Sequence, residues 1–180
     1  MNSPNNGNQP KKILVAGIGN IFFGDDAFGV EVVGALSMRK LPDGVVVRDF
    51  GIRGFDLACA LVENFDTVVL VDAISRNEPP GTLFVIEPEI NVSVPPRAEI
   101  EAHSLNPMKV LDLAHTFGAQ LKHVLLVGCE PAFLGSEDEG ALGLSEPVAA
   151  AVTEAVWLIE SLIAKMLTES HGSKAAQSTR

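Results

Sequence analysis

The chain has 180 residues, 47% of them apolar, and a formal net charge of −10. That length accommodates one domain with a core of its own, and that apolar share excludes a disordered chain. The acidic balance argues against nucleic acid as the main partner, since phosphate binding wants a basic patch, and no apolar run reaches the roughly 18 residues that membrane insertion requires.

Met1 to Pro10 is polar, leads into Lys11-Lys12 and holds no apolar signal-peptide core. Residues 1–11 are therefore expected to be a disordered lead, and the cytoplasm is the expected compartment. Ile13 to Gly17 reads as a short buried strand, apolar, partly β-branched and closed by glycine. A loop and then a helix follow, reaching about Met38, with Val30, Val33 and Leu36 at helical period and Val32 alongside. Val45 to Phe50 is a second strand, and Phe55 to Asn64 a helix with Leu57, Ala58 and Leu61 on one face. Thr67 to Ala73 is the clearest buried strand, and Thr82 to Ile86 another. The connection between them is too short for a parallel crossover, which takes about a dozen residues or more. If they are neighbours, the pair is antiparallel.

Glu87 to Glu101, rich in proline and charge, reads as a long loop of the kind that is often functional. Ser104 can cap a helix running to about Phe117, with Gly118 as its stop. His123 to Gly128 is the last strand. Ser145 with Pro147 opens a final helix that passes through Trp157 to about Leu167, and a polar, disordered tail is expected from Glu169. Residues 12–168 thus form a single domain. Strands alternating with helices give an α/β sandwich of three layers. Sites in such folds form beyond the C-terminal ends of parallel strands, which selects Gly17 to Asp26, Asp72 to Ser75 and Gly128 to Pro131.

The segment Gly17 to Gly29 sits where a dinucleotide fingerprint would, between a strand and a helix. Phe22 occupies the third glycine position, however, and Asp25 and Asp26 would repel a pyrophosphate. One aspartate suffices to cap a helix; two adjacent ones repel unless a cation or solvent relieves them. Capping and a metal site both remain open for this pair. Asp72, at the tip of the middle strand, either bonds the backbone of the following turn or serves as ligand or acid/base. His103 ends the long loop and is either structural or a ligand. His115 and His123 read as surface or boundary residues, and His171 lies in the tail. Cys59 and Cys129, the only cysteines, form no CxxC pair and lie among apolar residues, so buried reduced thiols are expected. Four ligands at zinc-finger spacing are missing, as are G-x-S-x-G and H-E-x-x-H.

Together, Gly17-x-Gly19-Asn20, Asp25-Asp26 and Gly29, then Val71-Asp72-Ala73 with Pro80-Gly81-Thr82, then His103, and finally Leu126-Val-Gly-Cys-Glu-Pro131 with Gly143-Leu-Ser145 resemble the NiFe hydrogenase maturation endopeptidases over about residues 12–165. The resemblance implies a three-layer αβα sandwich, phosphorylase/hydrolase-like, around a five-stranded mixed, mostly parallel sheet whose fourth strand is antiparallel. It implies removal of a short C-terminal extension from a hydrogenase large-subunit precursor after nickel has been inserted. It carries the family's metal-binding acids onto Asp26 and Asp72 and its histidine onto His103, as catalytic and metal-binding residues. The implied metal is nickel supplied by the precursor, with no tightly bound organic cofactor. Specificity is expected from the Glu87–Glu101 and Glu130–Leu144 loops. Two other readings would be recognised by different observations: a flavodoxin-like nucleotide or flavin module by bound flavin absorbance, and a nickel-sensing metallochaperone by nickel binding without cleavage.

Overall fold

The computed structural model describes residues 11–88, 107–135 and 140–175. Five strands form one sheet: β1 (Ile13–Ile18), β2 (Val45–Gly51), β3 (Thr67–Ala73), β4 (Leu83–Ile86) and β5 (Val124–Cys129), in the order β2-β1-β3-β5-β4. The helices are α1 (Phe28–Ser37), α2 (Gly54–Ala60), α3 (Pro107–Thr116) and α4 (Glu146–Ala175). β1 and β5 are buried at every position and β3 at all but its last, Ala73. Their unbroken apolar runs follow from having both faces covered, as parallel strands between helices must. Alternate residues of β1 divide between two cores. Ile13 and Val15 join Phe28, Leu36, Val148 and Ile159 from α1 and α4, whereas Leu14, Ala16 and Ile18 join Leu57, Ala58, Leu111 and Ala114 from α2 and α3. This is the expected three-layer α/β sandwich with a mixed, mostly parallel sheet.

β1 pairs in parallel with β2 and β3, and β3 with β5. β4 is antiparallel, as the short connection requires, but its partner is β5 rather than β3. The direction was fixed by the connection length; the neighbour was not. Gly17 lies beside Val71 and Asp72 beside Gly128, so three parallel strands end at one level.

Helix α1 seats directly on that end of the sheet. A Cβ on Gly29 would collide with the carbonyls of Val71 and Ile18, and one on Gly17 with the Gly29 carbonyl and Val33 Cγ2. The two glycines of the first motif therefore let helix backbone touch strand backbone. The helix starts at Phe28, two residues before the apolar period, after a 3-10 turn at Asp25–Ala27. It buries Phe28, Gly29, Val32, Val33 and Leu36, while Val30 is only partly buried.

Three other expectations are corrected. Cys59 is exposed, because α2 turns Leu57, Ala58 and Ala60 inward and Cys59 outward; Cys129 is buried as expected. α4 continues to Ala175, since nothing between Leu167 and Gly172 breaks a helix and Lys165 pairs with Glu169 one turn on. Its Glu146–Glu169 stretch is long and apolar enough, by length and composition, to cross a membrane, unlike any run apparent in the sequence. Its inward side is buried in the fold, with Val148, Ala151, Ala155, Val156, Ile159 and Ile163 in the core.

Candidate active site

The strand ends turn three segments toward one place. After β1, Gly19 takes φ +133, a region that favours glycine, and a Cβ there would collide with the Asp26 carbonyl. The chain then folds back on itself. Asp26 Oδ2 accepts a hydrogen bond from the Asn20 amide at 2.7 Å, and Asn20 Oδ1 accepts one from the Phe22 amide at 3.0 Å. No side chain caps either the 3-10 turn or α1. The capping alternative for the two aspartates is thus displaced, and each has a separate task.

Asp25 is 1% exposed and faces the chain after β5. Its Oδ2 accepts from the Ala132 amide (2.8 Å), the Phe133 amide (2.9 Å) and the Ser145 hydroxyl (2.9 Å), and its Oδ1 from the Ser145 amide (2.6 Å). Asp26 is only partly buried. Burial raises its pKa, opposed by the hydrogen bond from the Asn20 amide.

Asp72, one residue before the end of β3, is 5% exposed. Burial, and then the charge of Asp26, push its carboxyl up to about 8, with the Ala73 amide opposing. Two acidic side chains from different strand ends therefore interact through a poorly solvated space. Burial, with the Asp26 charge added to it, keeps a proton on Asp72 near neutral pH. A site of this kind favours an incoming cation, which would relieve both carboxylates.

Glu130, at the end of β5, serves the scaffold. Burial opposes its charge, but hydrogen bonds from the Arg76 amide, the Ser75 hydroxyl, and the Glu78 and Asn77 amides together outweigh it and hold the carboxyl below its usual range. Ser75 Oγ donates to Oε1 at 3.0 Å and the Arg76 amide to Oε2 at 2.6 Å, fixing the turn that follows β3. The Cys129 thiol is pushed up to about 12 by burial and by the charges of Asp25 and Glu130, opposed by the Gly81 amide. It is a core thiol rather than a thiolate nucleophile.

Of the three residues expected to form the site, Asp26 and Asp72 come near enough at the strand ends to interact electrostatically. His103 lies outside the described residues, as do Ser104 and nearly all of the Glu87–Glu101 loop. Among the described residues, no group of three His, Cys, Asp or Glu is placed to hold a metal ion. His115 is exposed and the partly buried His123 lies 3.3 Å from Glu87, both at the boundary as expected. Sequence reasoning gave no separate role to Asp25 or Glu130. The only signal was their membership in the Asp-Asp and Gly-Cys-Glu-Pro segments.

The hydrogenase maturation protease family model matches residues 30–162. The hydrogenase 2 maturation protease of Escherichia coli K12 is 35% identical over 147 residues, covering 81% of this chain and 86% of that protein. The hydrogenase maturating endopeptidase HybD from Escherichia coli superposes with a TM-score of 0.69 at 30% identity, covering 86% of this chain and 93% of the other. The hydrogenase 2 maturation peptidase of a Thaumarchaeota archaeon gives 0.64 at 34% identity, covering 86% and 99%. With most of the domain matched in sequence and nearly all of each solved relative matched in fold, this chain belongs to the hydrogenase maturation protease family.

Proposed function

We propose that this chain is the endopeptidase that removes the C-terminal extension of a NiFe hydrogenase large-subunit precursor once nickel has been inserted. The observation that supports it most is the Asp26–Asp72 pair: two carboxyls on adjoining strand ends, one largely buried and holding a proton near neutral pH. Family membership adds the peptidase activity and displaces the flavodoxin-like reading.

In this reading Asp26, Asp72 and His103 meet the nickel ion that the precursor presents. The ion is part of the substrate, and it would orient the scissile segment and polarise its carbonyl or a water. The Asn20 amide aims Asp26 and favours its ionised form against the effect of burial. Asp72 would release its proton to solvent on meeting the cation, and the water that adds to the scissile carbonyl would supply the proton that the leaving amine takes up. Asn20, Gly19 and the tight seating of α1 hold the pair in register with the strand ends. The cytoplasm, a reducing compartment, accords with two unpaired cysteines.

The test is to follow trimming of the nickel-loaded precursor by mass, using the wild type and Asp72→Asn, which keeps shape and removes the ionisable group. Trimming by the wild type and none by the variant is expected. Binding of the loaded precursor without any trimming would favour a nickel-sensing chaperone instead.

A further inference from the structure

The loop after β1 and the loop after β5 are joined more tightly than surface loops need to be. The Gly24 amide donates to the Ala141 carbonyl (2.7 Å), the Ala141 amide to the Phe22 carbonyl (2.8 Å), the Gly135 amide to the Phe23 carbonyl (3.0 Å) and the Asp25 amide to the Phe133 carbonyl (3.2 Å). Phe23 thus bridges Ala141, and Gly24 bridges Leu134. The buried Asp25 carboxylate closes this arrangement from below by taking the Ala132, Phe133 and Ser145 amides and the Ser145 hydroxyl.

What the joined loops present is apolar. Ile21 is 47% exposed, Phe22 60%, Phe133 52%, Leu134 46% and Leu142 81%. Residues 19–24, 131–135 and 140–142 contain no charged side chain; the acidic Glu137, Asp138 and Glu139 come between the last two segments in sequence and lie outside the described residues. Single exposed apolar residues are ordinary; several on two hydrogen-bonded segments mark an interaction surface. This surface is continuous with the acid pair, because the Asn20 that holds Asp26 also holds the Phe22 amide. A polypeptide reaching Asp26 and Asp72 along this side passes over Ile21 and Phe22.

We propose that these loops form an apolar ledge that docks an extended, apolar stretch of the substrate protein beside its scissile bond, and that Asp25 is the positioning residue that holds the ledge together. The proposal rests on the peptidase reading above. Asp25 touches no substrate; it acts by fixing where Phe22 and Phe133 stand relative to Asp26. Gly24 fits this role: its φ is +62, and a Cβ there would come within 3.2 Å of the Phe133 ring.

The experiment measures kcat and KM for trimming of the nickel-loaded precursor, with cadmium affinity of each free protein as a second readout. Phe22→Ser with Phe133→Ser should raise KM about tenfold or more, leave kcat within about twofold, and leave cadmium binding unchanged. Asp25→Asn should show the same split. Should it not fold, Ser145→Ala, which removes one donor to Asp25, should show a smaller rise in KM. Met38→Ser, on a residue 87% exposed elsewhere, should change neither constant. Unchanged KM in the double ledge variant overturns the docking surface, and a fall in kcat at constant KM in Asp25→Asn or Ser145→Ala overturns the positioning role. If the wild type trims nothing, precursor affinity of the Asp72→Asn chain decides. Affinity lost on adding the Phe22 and Phe133 changes keeps the ledge and sinks the peptidase reading, while affinity absent or unaltered sinks the ledge. A wild-type dimer in sedimentation that the ledge variants dissolve assigns the surface to a second copy and overturns the proposal.

Discussion

Replacing Asp72 by asparagine should make the protein more stable as pH rises, even as it abolishes activity. Burial and the neighbouring Asp26 charge raise the Asp72 carboxyl from 3.8 to about 8. The folded state thus prefers the protonated form more than the unfolded chain does. The associated stability is fully present below about pH 4, is lost as pH rises from about 4 to about 8, and changes no further above that. At about 1.36 kcal/mol for each pKa unit, the window from pH 5 to pH 9 carries an upper bound of about 4 kcal/mol. Relaxation and water penetration bring the expected loss to about 2–4 kcal/mol. The substituted asparagine cannot ionise, so the variant lacks this loss; any cost of placing its amide is the same at every pH. Urea unfolding followed by circular dichroism, in chelated buffer at pH 5 and pH 9, gives the difference between the two proteins at each pH. That difference should move by about 2–4 kcal/mol in favour of the variant. A constant difference, or one that moves toward the wild type, would refute a buried, charge-opposed Asp72. Gain of stability with loss of activity is what a site held for function produces.

Other perturbations probe the scaffold. Gly29→Ala places a methyl against the Val71 and Ile18 carbonyls and should cost about 3 kcal/mol or more, read as a lowered urea midpoint. Asp25→Ala leaves three amides and the Ser145 hydroxyl without their acceptor and should cost at least about 4 kcal/mol at about 1–3 kcal/mol for each. An intact variant at wild-type stability would contradict the role given to its carboxylate. A thiol reagent should modify one cysteine, Cys59, in the native chain and both after denaturation, and modification of Cys59 should leave trimming unchanged.

Much of this architecture is legible without coordinates, for identifiable reasons. β3 runs from Thr67 to Ala73 as read, because a strand covered on both faces is a continuous apolar run bounded by polar residues. The antiparallel sense of β4 followed from the length of its connection; its pairing with β5 did not, since a short connection sets direction and leaves the neighbour open. Rules about strand ends selected the candidate segments, and the resemblance separated Asp26 from Asp25. Residue patterns alone left the two equivalent. What distinguishes them is contact with Ala132, Phe133 and Ser145, more than 100 positions further along the chain. Cys59 was misplaced for a related reason: apolar neighbours in sequence surround both the inward and outward positions of a helix. Glu130 escaped notice because its partners, Ser75 to Glu78, come from the loop after another strand.

The most direct test of the account compares two forms of one large-subunit precursor, nickel-loaded and nickel-free, incubated with the purified wild-type chain and followed by intact mass. The central claim is that the Asp26–Asp72 pair works on a cation carried by the substrate. Loss of the C-terminal extension from the loaded form alone, with the empty form becoming a substrate once nickel is restored, is the predicted result. Equal trimming of both forms, or of neither, would contradict it.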